Sequence, residues 1–403
     1  MLIRKVKIII THLVVFCLFC LNNSFADELY KQFVIEKQSK YSSSDNKDDL
    51  NPISGNIKKY RIGILESGVW SGFVLYFKAL VEGLTTLGWG KIDVLENLTI
   101  KEQIDIKVMI EALNKKGWSD YIDFPTKAYR KMTLETRKKD TEALVSTPDL
   151  DMIIGFGTWA GQDLRALPDT FKIPCLISAV SKPIESKIID SVNDSGKDNI
   201  TGRVEIDRFK RQIQLFHDVM GFKKIGVVYS GIDPTGSQYA AIPDVEAVKE
   251  QRRFEVAIST DVPPSGDIQE INRKFIENVE KLVKEEKIDA FYLTLQNGVN
   301  LSTLPKLLEI FNSNKVSTFY MGGSDYVRKG ILLSIATNWA PIGIFEAKNT
   351  IRILKGAKPR DLNLLFEGVP SIAINIETAK IIGYDPPVDI LATADEIYSS
   401  IEK

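Results

Sequence analysis

The sequence predicts an α/β fold of two lobes, each built on a parallel sheet covered by helices. Three observations carry this prediction. Short apolar runs rich in β-branched and aromatic residues alternate with helix-spaced segments across residues 60–354. Most of these runs end in loops of small or polar residues, such as Gly155-Phe-Gly157-Thr158 and Gly322-Gly323-Ser324. A polar crossing at residues 193–202 divides the alternation into two series, and a chain of 403 residues is long enough for two lobes.

Residues 60–66 are β-rich, forming the first predicted strand, and end in the loop Ser67-Gly68-Val69-Trp70. Residues 73–87 follow as a helix, with Phe73, Val74, Phe77, Leu80, Val81 and Leu84 on one face. Residues 88–148 break the rhythm; 129–146 is a charged helical candidate whose Arg137-Lys138-Lys139-Asp140 run suits a solvated face. Met152 to Ile154 is a buried-type strand leading through a glycine turn into a helix, and 172–178 is a further strand ending at Ala179–Pro183. Beyond the crossing, helices are expected at 209–220, 237–252, 268–285, 301–312 and 342–354. They alternate with strands at 224–229, 254–260, 289–294, 317–321 and 331–336. Strand–helix alternation at this pace implies parallel sheets with both faces covered.

The N-terminus carries Arg4, Lys5 and Lys7, an apolar run from Ile8 to Leu21, and the small-residue site Ser24-Phe25-Ala26. That order reads as a secretory signal peptide, residues 1–26, cut after Ala26; the alternative is an uncleaved membrane anchor. Residues 27–58 are polar and read as a flexible leader. Cys17 and Cys20 fall in the signal, and bulky Phe19 before Cys20 argues against a lipoprotein cysteine. Cys175 is then the sole thiol, so no internal disulfide framework is expected. Net charge is −1 for the whole chain, and −4 without the first 26 residues (49 basic, 53 acidic). Neither value makes an electrostatic case for nucleic acid.

In open parallel sheets ligands sit beyond the carboxyl ends of the strands. Here those loops offer Glu66, Ser67 and Trp70; Thr158, Trp159 and Gln162; Ser178 and Ser181; Asp233, Ser237 and Gln238; Gln296 and Asn297; Ser324 and Asp325; Asn338 and Trp339. Hydroxyls, amides and three tryptophans suit hydrogen bonding and stacking. After signal removal His217 is the only histidine, which with one cysteine makes no typical zinc site. No Gly-x-Ser-x-Gly elbow and no Walker loop occur. A carboxylate pair drawn from Glu66, Asp233 and Asp325 remains conceivable for hydrolysis. Gly155-x-Gly157-x-x-Ala160 is a variant of the dinucleotide fingerprint, but Ser178–Lys182 stands where its acidic partner belongs. No catalytic residue, cofactor or metal is expected. Helix starts after Gly157 and Gly236 favour a carboxylate, and the tryptophans favour a flat ligand; an amino acid fits both.

Several segments, in order, resemble the extracytoplasmic substrate-binding proteins of ABC importers, in the branch associated with tryptophan and related ligands. They are Ile154-Gly-Phe-Gly-Thr-Trp-Ala, Ile173-Pro-Cys-Leu-Ile-Ser-Ala-Val-Ser, Asn199-Ile-Thr-Gly202 and Lys223-Lys-Ile-Gly-Val-Val-Tyr. Gly323-Ser-Asp325 with Lys329-Gly330, Ile353-Leu-Lys-Gly-Ala-Lys-Pro359 and the tail Asn375–Pro386 with Ala394-Asp395 continue the series. The resemblance covers most of residues 60–403 and implies a type I periplasmic-binding-protein fold, two Rossmann-like lobes joined by a three-crossover hinge. Lobe 1 would take residues 59–181 and 325–354, and lobe 2 residues 182–324 and 355–403. Carried over by loop, Thr158, Trp159, Ser178, Ser181, Asn297, Ser324 and Asp325 become ligand contacts. Two departures stand out: Gln296-Asn297-Gly298 replaces an Asp-Asn-Thr common in the family, and residues 88–148 form a longer region than usual.

The resulting expectation is a periplasmic, monomeric solute-binding protein closing on an amino acid or related, aromatic included, and delivering it to an ABC transporter permease. The alternative keeps the fold and makes the chain a ligand-sensing subunit docking on a membrane sensor.

Overall fold

The computed structural model describes residues 50–52, 59–70, 72–233, 235–337, 339–368 and 370–402. The signal peptide, all but a few residues of the leader, and the candidate Asn338 lie outside the described residues. Among the described residues no helix is long and apolar enough to cross a membrane.

Among the described residues thirteen strands form two sheets. The first contains β1 (Tyr60–Ser67), β2 (Ile122–Asp123), β3 (Tyr129–Met132), β4 (Met152–Phe156), β5 (Cys175–Ser178) and β6 (Ile200–Gly202). Its order is β2-β1-β4-β5-β6, with β3 also on β1, and every pairing is parallel. The second contains β7 (Lys224–Val228), β8 (Glu255–Ser259), β9 (Ala290–Leu293), β10 (Ser317–Tyr320), β11 (Leu333–Thr337), β12 (Pro370–Asn375) and β13 (Glu396–Tyr398), ordered β13-β12-β11-β10-β9-β7-β8. There, among the described residues, β11–β12 is the one antiparallel pairing. Each sheet thus repeats one pattern: the first strand lies inside, the next on its outer side, and later strands extend the other way.

Side-chain alternation explains why the second sheet is covered twice. Phe291 and Leu293 of β9 enter one core with Phe275 and Phe311, while Ala290 and Tyr292 enter the opposite core with Phe216 and Phe319. The helices Ile268–Lys284 and Leu304–Ser313 cover the first face, and Arg208–Met220 and Ile242–Arg252 the second.

Among the described residues the chain passes from one sheet to the other after β6, between β11 and the helix Trp339–Leu354, and between that helix and β12. The helix packs along Phe73–Thr86, which itself follows β1. Two expected lobe boundaries therefore move. Residues 200–202, assigned to lobe 2, hydrogen-bond to β5 of the first sheet, and residues 333–337, assigned to lobe 1, pair with β10 and β12 of the second.

Two helix expectations also change. The charged candidate at 129–146 begins as β3, because Tyr129–Met132 pairs with Ile64–Ser67; only Arg137–Val145 is helical. The helix expected at 237–252 divides into Gly236–Tyr239 and Ile242–Arg252 at Ala241, whose φ of 53° interrupts helical geometry. The irregular region 88–148 thereby supplies β2 and β3, which lie on the outer side of β1, while β6 forms the opposite edge of the first sheet.

Candidate functional site

In sheets of this order a crevice opens at the carboxyl ends where strand order reverses. In the first sheet that point lies between β1 and β4, and in the second between β7 and β9. The loops after these four strands meet around one cavity of about 80 Å³, room for several waters.

The first wall depends on Gly157. Its φ of 90° turns β4 into the helix Thr158–Arg165, and a Cβ there would stand 2.6 Å from Phe73 and 2.8 Å from Ser67. Only glycine permits both the turn and the approach. The hydroxyl of Ser67 accepts the Ala160 N–H at 2.8 Å, occupying one of the donors that a helix start leaves over. Trp70 meets Phe73 edge-on at 4.8 Å, and both line the cavity beside Thr158 and Trp159.

On the opposite wall Asp233 is 5 % exposed. Its Oδ1 accepts from the Thr235 N–H at 2.8 Å and the Thr235 hydroxyl at 2.7 Å. The indole N–H of Trp159 reaches both Asp233 carboxylate oxygens at 3.2 Å, bridging loops of the two sheets. Gln296 donates to the Val228 carbonyl, and Asn297 to the Pro264 carbonyl at 2.7 Å, so both amides brace their own wall. Burial and the nearby Asp233 charge push the Tyr239 phenol well above its ordinary range.

Of the residues expected from sequence, the cavity gathers Ser67, Trp70, Thr158, Trp159, Ser181, Asp233, Gln296 and Asn297. Asp325 lines a smaller adjoining cavity of about 30 Å³, which shares Trp70 and Leu295 with the first and includes Trp339. The remaining candidates are engaged elsewhere. Glu66 is buried, accepting from the Tyr129 hydroxyl and facing Lys131 Nζ at 3.1 Å; burial raises its carboxyl while Lys131 and Tyr129 pull it back. Ser178 donates to both oxygens of Glu346 at 2.9 Å. Gln162 donates to the Ser186 carbonyl at 3.2 Å. Ser324 precedes the short helix Asp325–Arg328 and lies off the cavity lining. Gln238 lies off the cavity lining, with its Oε1 buried and without a hydrogen-bond partner among the described residues.

Sequence reasoning missed Phe73, Ser230, Tyr239 and the pair Pro263-Pro264, all on the cavity wall. The prolines follow an edge strand, β8, and a search of every strand-end loop would have included them. It also missed a buried ionic cluster at the first crossing. Arg203, just after β6, lies 3.6 Å from Glu346 on the Trp339–Leu354 helix and contacts Glu205; Arg208 Nε lies 3.5 Å from Glu205. Burial pushes the Glu346 carboxyl up to about 7, opposed by Arg203 and the Ser178 hydroxyl.

The family model of the ABC transporter substrate binding protein matches residues 104–398. A search of curated protein sequences finds no significant match. Among solved structures, a conserved domain protein from Vibrio cholerae O1 biovar eltor is 18 % identical, with 84 % of this chain and 100 % of that one covered at a TM-score of 0.63. The ABC domain in complex with L-Trp from Streptococcus pneumonia is 20 % identical, with 83 % and 99 % covered at 0.62. The ligand-free, open structure of CD0873, a substrate-binding protein with adhesive properties from Clostridium difficile, is 19 % identical, with 85 % and 100 % covered at 0.51. At such identities the likeness bears on the fold, which is that of type I periplasmic binding proteins. With the family match spanning most of its length, the chain belongs to the ABC transporter substrate-binding proteins.

Proposed function

We propose that the protein captures a small solute in the cavity between its two sheets and delivers it to the permease of an ABC importer. One observation carries the assignment of the site: the loops at the strand-order reversals of both sheets converge on a single cavity. Capture requires no covalent step. A solute that contacts both walls favours the state in which they meet, and release follows when the crossings let them part. Trp70, Phe73 and Trp159 offer aromatic faces, while Thr158, Ser181, Gln296 and Asn297 offer hydrogen bonds. An amino acid or related small molecule, aromatic ones included, suits that wall. The protein acts as an exported monomer, its signal peptide being residues 1–26.

The test is mass spectrometry of solute retained by the purified mature protein, followed by titration of tryptophan emission, to which Trp70 and Trp159 report from the wall. A retained small molecule that shifts emission and raises the melting temperature supports the reading. Chemical turnover of that molecule, or the absence of both retention and stabilisation across amino acids, amines, sugars and carboxylates, would overturn it.

A further inference from the structure

The charge of the cavity narrows the class of solute. We infer that, if the cavity is the solute site proposed above, it selects cationic amines over zwitterions, anions and neutral solutes, with Asp233 as the anchor for the positive group. Among the described residues lining it, Asp233 is the only one carrying a charged side chain. It is buried, yet each of its hydrogen bonds comes from a neutral donor on Trp159 or Thr235. Cations beside the wall are committed elsewhere: Arg137 to Asp163 at 2.6 Å and Lys182 to Asp244 at 2.7 Å. A buried carboxylate without a counterion is costly, and an ammonium brought by the solute supplies one.

Two further observations point the same way. Ser230 lines the cavity and is 2 % exposed, and its buried hydroxyl has no hydrogen-bond partner among the described residues. An ammonium carries three donors, enough for Asp233 and Ser230 together. The rings of Trp70, Phe73 and Trp159 add faces that attract cations. A solute carboxylate fares worse. At the start of the Thr158–Arg165 helix the Ala160 N–H is held by Ser67 and the Gly161 N–H by the Gly157 carbonyl, and no lining side chain is basic. A carboxylate would share the cavity with Asp233 and face no cation.

The experiment measures melting temperature and tryptophan emission of the mature protein against tryptamine, phenethylamine, L-tryptophan, indole-3-propionate and glucose at millimolar concentration. Tryptamine or phenethylamine should stabilise the protein at concentrations roughly tenfold or more below those of the other three, as expected for a hydrogen bond to a charged group. Asp233→Asn should abolish that advantage, and Asp233→Glu should keep it. Tighter binding of L-tryptophan, indole-3-propionate or glucose overturns the charge assignment and leaves solute capture standing; so does an advantage that survives in Asp233→Asn. No stabilisation by any of the five overturns the charge assignment, while capture is still judged by the retained solute. That solute's own charge, read by mass spectrometry on the unmutated protein, is an independent measure: a cation supports the inference, and an uncharged or anionic molecule overturns it.

Discussion

The indole N–H of Trp159 sits 3.2 Å from each carboxylate oxygen of Asp233, although the two residues are 74 positions apart and belong to loops of different sheets. Trp159 follows β4 and Asp233 follows β7. The contact ties one wall of the cavity to the other through a hydrogen bond to a buried charge, the stronger class of such bonds.

Trp159→Phe removes this donor and keeps most of the ring. The meeting of the two walls should weaken by about 1.5–3 kcal/mol, the worth of a hydrogen bond to a charged group. Without solute, the variant should have a larger radius of gyration by small-angle X-ray scattering than the parent. An unchanged scattering profile would mean that the walls are held together by something else.

Glu346 should make stability pH-dependent. Its carboxyl, raised from 4.5 to about 7 chiefly by burial, holds a proton in the folded state over a range where the unfolded chain has released it. Folding therefore binds a proton between about pH 4.5 and 7, so this group's contribution is greatest below that window and declines as pH rises through it, by up to about 3 kcal/mol. Glu346→Gln cannot titrate. Denaturant unfolding across the window should show the variant gaining on the parent as pH rises; a constant difference, or one of opposite slope, would contradict this.

The same residue marks where sequence reasoning stops. The strand-end rule drew attention to Trp159 and Asp233, which line the cavity, because parallel sheets expose those loops whatever their side chains do. It drew equal attention to Ser178, whose hydroxyl is taken by Glu346 from 168 positions away. Glu346 lies in a helix whose apolar pattern gives no sign that a carboxylate should be buried there. Tyr129–Met132 was legible as charged but not as a strand, since it pairs with β1 only after the intervening segment has folded back. Local pattern reveals elements and their ends; which ends meet is decided by packing between distant segments.

Lys131 compensates the buried Glu66 at 3.1 Å, with the Tyr129 hydroxyl as the second partner. Lys131→Met should destabilise the fold by about 2 kcal/mol, below the full cost of breaking a buried pair because Lys131 is 34 % exposed. Adding Glu66→Gln should recover much of the loss by removing the orphaned charge. Equal denaturation midpoints for Lys131→Met and the parent would show that solvent already screens Glu66.

The middle crossing depends on two glycines. The helix Trp339–Leu354 follows β11 of the second sheet but lies on Phe73–Thr86 from the first, so its anchoring returns the chain to the first layer. A Cβ on Gly343 would stand 2.0 Å from the Ala79 carbonyl oxygen, and one on Gly83 would stand 2.3 Å from the Gly343 carbonyl oxygen. Both obstacles are backbone, which cannot rotate away as a side chain would. In an isolated helix Gly→Ala would help by about 0.5–1 kcal/mol. Here the clash outweighs that gain, because the helices must separate along a face that buries Ile342, Glu346 and Ala347. Gly343→Ala should therefore cost about 1–3 kcal/mol or more in denaturant unfolding. Separation would also move Glu346 relative to Ser178 and Arg203, so the pH slope expected above should flatten in the same variant. A more stable protein with an intact slope would mean that the two helices do not cross at backbone contact.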